Sequence, residues 1–339
     1  MRMLREAIYS FLVFTGIARM FSYWHKDKLI ILCFHSQSIK DEHQFWPGVF
    51  ISKEKLTKVL DYLAHSRFNV VSLDDAERHL RGDINLKYPV VITVDDGWRS
   101  SITELLPAFQ AYKFPATVYV TTYYCDHQIP VVNVLLQYWL WQKQTESFEV
   151  LFSQQQYHFT GDTSMKVTAI EKQMETFNDD DKKGFLQAIA QSLGVSDDAI
   201  SSKQFHNASY TELKSALDSP LTDIQLHTHT HKLPSNSDAI RHEIQKNRDV
   251  LTEQLYSPKA RVHFCYPSGI WEPDHIPNLQ ALGIRTATTL DEGLNKRSEH
   301  PLKLKRNLVV DSRSLNQFIV TISGVMDTLR WAMGKTRSE

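Results

Sequence analysis

The chain has almost no net charge, no paired cysteines and no long apolar run. Lysine and arginine number 38 against 39 aspartates and glutamates, so the formal charge is -1. With no basic stripe to neutralise phosphates, a nucleic-acid partner is not expected. Cys33, Cys125 and Cys265 are the only cysteines; they form neither a CxxC zinc pattern nor a disulfide framework. That usage suits a reducing compartment. No stretch reaches the roughly 18 apolar residues of a spanning helix. There is no internal repeat and no low-complexity segment. What remains, 42% hydrophobic and 23% charged over 339 residues, is ordinary for a globular chain of one large or two small domains.

The N-terminus reads as an amphipathic helix over residues 3–24, rich in Phe, Leu, Trp and Arg. Residues 7–18 follow Arg2 and Arg5 and resemble a short signal peptide, but Glu6 adjoins them and no A-x-A cleavage site follows. Three readings stand: a helix packed on the domain, loose peripheral contact with a membrane surface, or an export signal. The expected location is cytoplasmic or peripheral at the inner face of the membrane, with export left open.

Strands and helices then alternate. Residues 28–34, 70–73, 90–94 and 116–121 are short apolar runs that read as strands. Between them, Ser52 opens a helix carrying Leu56, Val59, Leu60 and Leu63, and Asp74 is expected to cap one holding Ala76 and Leu80. Residues 100–111 form another helix. From 123 to 208 the pattern changes. Residues 130–143 are rich in Val, Leu, Trp and Tyr, and 165–193 read as helical, with Asp179-Asp180-Asp181 at a helix start or turn. This block is expected to be a partly helical insertion. Strands resume at 223–226, 261–266, 285–289 and 308–310, with helices starting at Thr211 and spanning 238–255 and 278–282. Such alternation implies parallel pairing through right-handed crossovers. The expected fold is α/β, a (β/α) barrel that is distorted or seven-stranded, over residues 28–312 with the insertion at about 123–208. An N-terminal segment 1–27 precedes it. A C-terminal amphipathic helix over 314–333, within a tail 313–339, follows.

Chemistry-bearing residues gather at strand ends. Asp95-Asp96-Gly97 closes the run Pro89–Val94, and His227-Thr228-His229-Thr230-His231 closes a second apolar segment. His35 and the turn Pro267-Ser268-Gly269 lie at similar ends, which a barrel collects on one face. Two imidazoles four residues apart and two adjacent carboxylates are what a catalytic divalent-metal site needs. One aspartate can sit on the metal while the other takes a proton from the attacking water. Such a site fits a metal-dependent hydrolase. Trp98, Trp139, Trp141 and Trp271 either line a sugar cleft or fill the core, and Cys33 and Cys265 read as small buried residues.

Residues 91–100, which include Thr93-Val94-Asp95-Asp96-Gly97, resemble the TFDDG motif of the polysaccharide deacetylase family, the NodB-homology domain of carbohydrate esterase family 4. His227 to His231 resembles its H-[ST]-x-x-H motif. Cys33-Phe34-His35 is similar to the "YH" opening of one subgroup. Phe264-Cys265-Tyr266-Pro267-Ser268-Gly269 is similar to its "AYPYG" turn, and Leu304-Lys305-Arg306 to its "LPR" segment. The likeness covers about residues 28–312. It implies that Asp95 is the general base and that Asp96, His227 and His231 hold a divalent metal, zinc above cobalt, nickel or manganese. It implies further that the Ser268 N–H joins the oxyanion site, that His35 is the general acid and that Arg306 orients Asp95. The chain departs from the family at Val94, at Cys265 where many members have arginine, at Ser268 in place of a frequent aromatic, and at Gln225-Leu226 where a glycine is usual. His229 is expected to face away from the metal. The implied function is deacetylation of an amino sugar in an acetylated glycan, such as an exopolysaccharide, or of a lipid-linked sugar precursor. The alternatives are another non-peptide amide hydrolase, an O-acetyl esterase, or a catalytically silent glycan-binding protein.

Overall fold

The computed structural model describes residues 2–257 and 259–333. Met1 of the expected N-terminal segment and residues 334–339 of the expected tail lie outside the described residues. Seven parallel strands follow one another in the sheet. From one edge they are Thr286–Thr288, His263–Cys265, Thr222–Leu226, Ala116–Val120, Pro89–Val94, Ile30–Phe34 and Asn307–Leu308. Asn69–Val70 pairs with the start of Pro89–Val94 as an eighth strand off this path. The sheet curls, and one segment ties its two edges together. Leu304 bridges to Thr288, while Asn307 and Leu308 pair with Leu32 and Cys33. This is the distorted (β/α) barrel expected from the alternation.

Strand periodicity sorts the side chains. Ile30, Leu32 and Phe34, like Val90, Ile92 and Val94, join the large apolar core beneath the helices. Ile31, Val91, Tyr119, Cys265 and Leu304 form a second, smaller cluster with Leu73 and Ala76. Leu73 and Ala76 belong to the helix Leu73–Arg81, which plugs the barrel at the strand N-termini. Residues 70–73 were expected to be a strand with Asp74 as a cap. Instead the strand ends at Val70, and Ser72 caps the helix by accepting from the Asp75 N–H. Asp74 instead bonds across to His263, with Nε2 3.1 Å from its Oδ1, and pairs with Arg285 and Lys259.

The block 123–208 has a core of its own, built on Trp139, Ile170, Phe185 and Ile189. It holds the helices Val132–Lys143, Thr163–Met174 and Asp179–Leu193, the acidic run opening the last. It also holds an antiparallel hairpin, Ser147–Phe152 with Gln155–Thr160, which the sequence reading missed. The two terminal segments differ from expectation in the same way. The single helix expected over 3–24 is two, Arg2–Phe14 and Ile17–Trp24, broken at Gly16. The helix expected over 314–333 is Leu315–Ile322 and Val325–Ala332. The break there is Gly324, with φ +82; a Cβ at this position would lie 2.1 Å from the His25 ring. Only glycine fits.

Phe185 is fully buried among Phe152, Phe159 and Phe177. Phe185→Ala should cost about 3–5 kcal/mol, seen as a lower urea midpoint; no shift would mean the ring is not packed. The hydrogen bond from His263, reinforced by Lys259, holds the Asp74 carboxyl below its usual range against the opposing effect of burial. Its stabilisation is therefore present above the unfolded value near ~3.9 and lost as pH falls below it. Asp74→Asn should flatten the fall in melting temperature on acidification below about pH 4; an unchanged acid slope would sink this account.

Candidate active site

Strand geometry brings the polar clusters to one mouth of the barrel. Pro89–Val94 ends with Val94 facing the helices, so the chain must turn sharply to aim the next two carboxylates inward. Asp96 adopts φ +71 and Gly97 φ +77. A Cβ at Gly97 would sit 3.0 Å from Val120 Cγ1, so the turn needs glycine for space as well as for backbone conformation. Thr228 and His231 also have left-handed backbones, at φ +62 and +59. Non-glycine residues in this region cost of order 1 kcal/mol or more each and are known to cluster at functional sites.

Asp96, His227 and His231 converge. Asp96 Oδ1 lies 3.1 Å from His227 Nε2 and 3.2 Å from His231 Nε2, and all three ligand atoms lie within 4.8 Å of one another. His227 is buried on the strand end. Its Nδ1 lies 2.9 Å from the Cys265 carbonyl oxygen and donates to it, which leaves Nε2 turned to the cluster. The His227 N–H donates to Asn247 Oδ1 at 3.0 Å. Trp98 Nε1 donates to Asp96 Oδ2 at 2.9 Å, and Asn207 Nδ2 donates to the Asp96 carbonyl at 2.7 Å. Burial opposes ionisation of Asp96, yet the hydrogen bonds from His227 and His231 hold its carboxyl well below the usual range. One carboxylate oxygen and two imidazole nitrogens, oriented by outer hydrogen bonds, fit a borderline divalent cation and leave coordination positions for water and substrate.

Asp95 stands beside this cluster without belonging to it. Arg306 grips it with two parallel bonds, Nη1 to Oδ1 at 2.6 Å and Nη2 to Oδ2 at 2.8 Å. The guanidinium is itself fixed by the Thr289 carbonyl at 2.8 Å and by Thr93 Oγ1 at 3.3 Å. Both partners are buried. Burial pushes the Asp95 pKa up, but Arg306 overrides it and holds the group at about 2. His35 Nε2 lies 3.8 Å from Asp95 Oδ2 and is partly open to solvent.

Of the expected site residues, Asp95, Asp96, His35, His227, His231 and Arg306 therefore share one mouth. Ser268 lies in the turn after His263–Cys265 with φ +55, exposed, and no bond joins its side chain to the cluster among the described residues. His229 turns to Thr122 Oγ1 at 2.8 Å. Trp98 and Trp139 are buried.

The sequence reading missed several contributors. Cys33 and Cys265 are buried as expected, but their thiols also lie 3.4 and 3.5 Å from Asp95 Oδ2. Asn207, at the end of the insertion, had no motif to mark it. The role of Glu243 was also unmarked: its Oε2 accepts from the backbone N–H groups of His229 and Thr230. Asn247 did carry a signal. It interrupts the buried stripe Ile240, Ile244, Leu251 of the helix Ser237–Leu255, and a polar residue at a core position asks for a partner.

The family model described as polysaccharide deacetylase matches residues 85–178 and 196–287. No curated protein matches the chain. Among solved structures, the chain is similar to the Streptococcus pyogenes deacetylase PplD in complex with acetate, at 15% identity and TM-score 0.58, over 87% of this chain and 98% of that one. It is similar to IcaB from Ammonifex degensii at 19% identity and TM-score 0.57, over 88% and 97%. A de-N-acetylase from Aggregatibacter actinomycetemcomitans aligns at 15% identity and TM-score 0.55, over 86% and 98%. At such identities the structural likeness speaks for the fold alone. The family match spans more than half of the residues and includes both the Asp95-Asp96 pair and the His227–His231 segment, and on that ground the chain belongs to the polysaccharide deacetylase family.

Proposed function

We propose that this chain removes N-acetyl groups from an amino-sugar glycan or glycan precursor and releases acetate, with a divalent cation, zinc foremost, held by Asp96, His227 and His231. One observation carries the reading. A three-donor cluster stands next to a second carboxylate, Asp95, that is kept ionised by Arg306 and is not part of it.

Asp95 takes the proton of the water that attacks the acetyl carbon. With a pKa of about 2 it is always ionised near neutrality, but it is a weak base. The cation, when bound, supplies positive charge that polarises the carbonyl and acidifies the water toward roughly pKa 7, so that a weak base suffices. Arg306 fixes both oxygens of Asp95, so the carboxylate needs no reorientation as it accepts the proton. The Ser268 N–H, in the turn that follows the strand His263–Cys265, donates to the oxyanion. His35, on the open side of Asp95, gives a proton to the departing amine nitrogen. An O-acetyl ester would meet the same groups but needs less help from His35, because an alkoxide leaves more readily than an amide nitrogen.

Asp95→Asn should lower kcat for acetate release from acetylated chito-oligosaccharide by about 100-fold or more, while metal content stays unchanged; near-wild-type turnover would overturn the role. Arg306→Met leaves a buried charge unpaired and should cost about 3–5 kcal/mol of stability by urea unfolding. Chelation should abolish activity and added zinc restore it. In parallel, His231→Ala should bring zinc per chain, measured by atomic emission, from about one to near zero. Turnover indifferent to chelators would overturn the role of the cation; zinc near zero in the wild type, with sugar binding retained and no acetate released, would favour the catalytically silent alternative.

A further inference from the structure

The described residues expose seventeen large apolar side chains, and ten of them lie on the helices at the two ends of the chain. The helix Arg2–Phe14 packs Tyr9, Leu12 and Val13 on the core. Its opposite side is equally apolar: Leu4, Ile8 and Phe11 follow at i, i+4 and i+7 on one stripe and face solvent. Phe14, at its end, is 93% exposed. Trp24 on the helix Ile17–Trp24 is 61% exposed, and Trp331 on the helix Val325–Ala332 is 71% exposed. These helices adjoin. Asn316 Nδ2 donates to Ser10 Oγ at 3.0 Å, and His25 Nδ1 lies 3.2 Å from the Ser323 carbonyl. A helix that merely covers a domain carries polar residues on its outer side; here the outer side is apolar.

The charges around this surface are unbalanced, although the whole chain is not. Arg5 and Arg19 are exposed and have no ion-pair partner among the described residues. The neighbouring acids are engaged: Asp27 with Lys87, and Asp327 with Arg330 and the Leu294 N–H. Glu6 acts on Lys55. Lys26 lies over the Tyr23 ring at 4.5 Å, its charge beside an aromatic rim. Exposed tryptophans flanked by unpaired arginines match the headgroup level of a bilayer, where apolar bodies and cationic tips are both satisfied. No helix of the described residues is long and apolar enough to cross a membrane.

We propose that the joined terminal helices form a docking face for an anionic lipid surface. Phe11, Phe14, Trp24 and Trp331 enter the acyl boundary, and Arg5 and Arg19 meet the headgroup phosphates. The face lies in the plane of the interface rather than through it. This inference is independent of the catalytic reading, because it uses none of the residues at the barrel mouth.

The test is co-sedimentation of the full chain with large unilamellar vesicles of phosphatidylcholine, with and without phosphatidylglycerol. Wild type should bind the phosphatidylglycerol vesicles, more weakly at high salt. The double variant Phe11→Ser with Trp24→Ser should bind about tenfold more weakly or worse. Arg5→Glu with Arg19→Glu should lose the preference for phosphatidylglycerol. Melting temperatures should hold, since all four side chains are exposed. Failure of wild type to bind either vesicle would overturn the proposal, as would equal binding by the variants. A lipid-free dimer in sedimentation velocity that the Phe11, Trp24 variant dissolves would overturn it too, by assigning the face to a second copy of the chain.

Discussion

Asp95 and Arg306 are both shut away from water, and each is tolerable there only because of the other. Removing two charges from solvent costs several kcal/mol per ion, which only excellent geometry offsets. The parallel bonds between them, with Thr289 and Thr93 satisfying the rest of the guanidinium, supply that geometry. Arg306 also lies within the segment that ties the two edges of the sheet, between Leu304 at one edge and Asn307 at the other. Closure of the barrel and placement of the second carboxylate are thus one event. If the edges separated, Asp95 would remain as an unpaired charge in an apolar interior.

The Asp95-Asp96 turn is fastened from outside the barrel as well. The Arg99 N–H donates to the His206 carbonyl, the Ala208 N–H to the Gly97 carbonyl, and Asn207 to the Asp96 carbonyl. All three partners stand where the long insertion returns to the sheet. The insertion therefore does more than overhang the mouth: its last residues hold the strained turn that aims Asp96 at the two imidazoles. At the other end of the barrel, the helix Leu73–Arg81 fills the opening with Leu73 and Ala76 and pins itself through Asp74 and Glu77. Substrate and water are left with the mouth at the strand C-termini, where the polar cluster stands.

Much of this was legible in the chain because it depends on local pattern. The alternation of apolar runs with 3.6-period segments marks a parallel sheet wrapped in helices, and parallel strands place their C-terminal ends together. That rule alone gathers Asp95, Asp96, His227 and His35 from distant parts of the sequence. The errors were also local. Ser72 outcompeted Asp74 as a cap because its hydroxyl reaches the Asp75 N–H, and two glycines split helices whose apolar periodicity continued across the break. The hairpin at 147–160 was lost because its strands are half-exposed and its alternation is weak.

The sequence by itself determined the residue types of the site, their order and the strand ends that carry them, because side-chain direction and strand polarity follow from backbone periodicity. It could not decide what those residues touch. The grip of Arg306 on Asp95, the thiols beside it, the turn of Asn207 and Asn247 toward the loops, and the joining of both chain termini into one apolar surface are contacts between residues tens to hundreds of positions apart. Such contacts cost chain entropy to form and are repaid only by the packed whole, so only the tertiary structure could choose them.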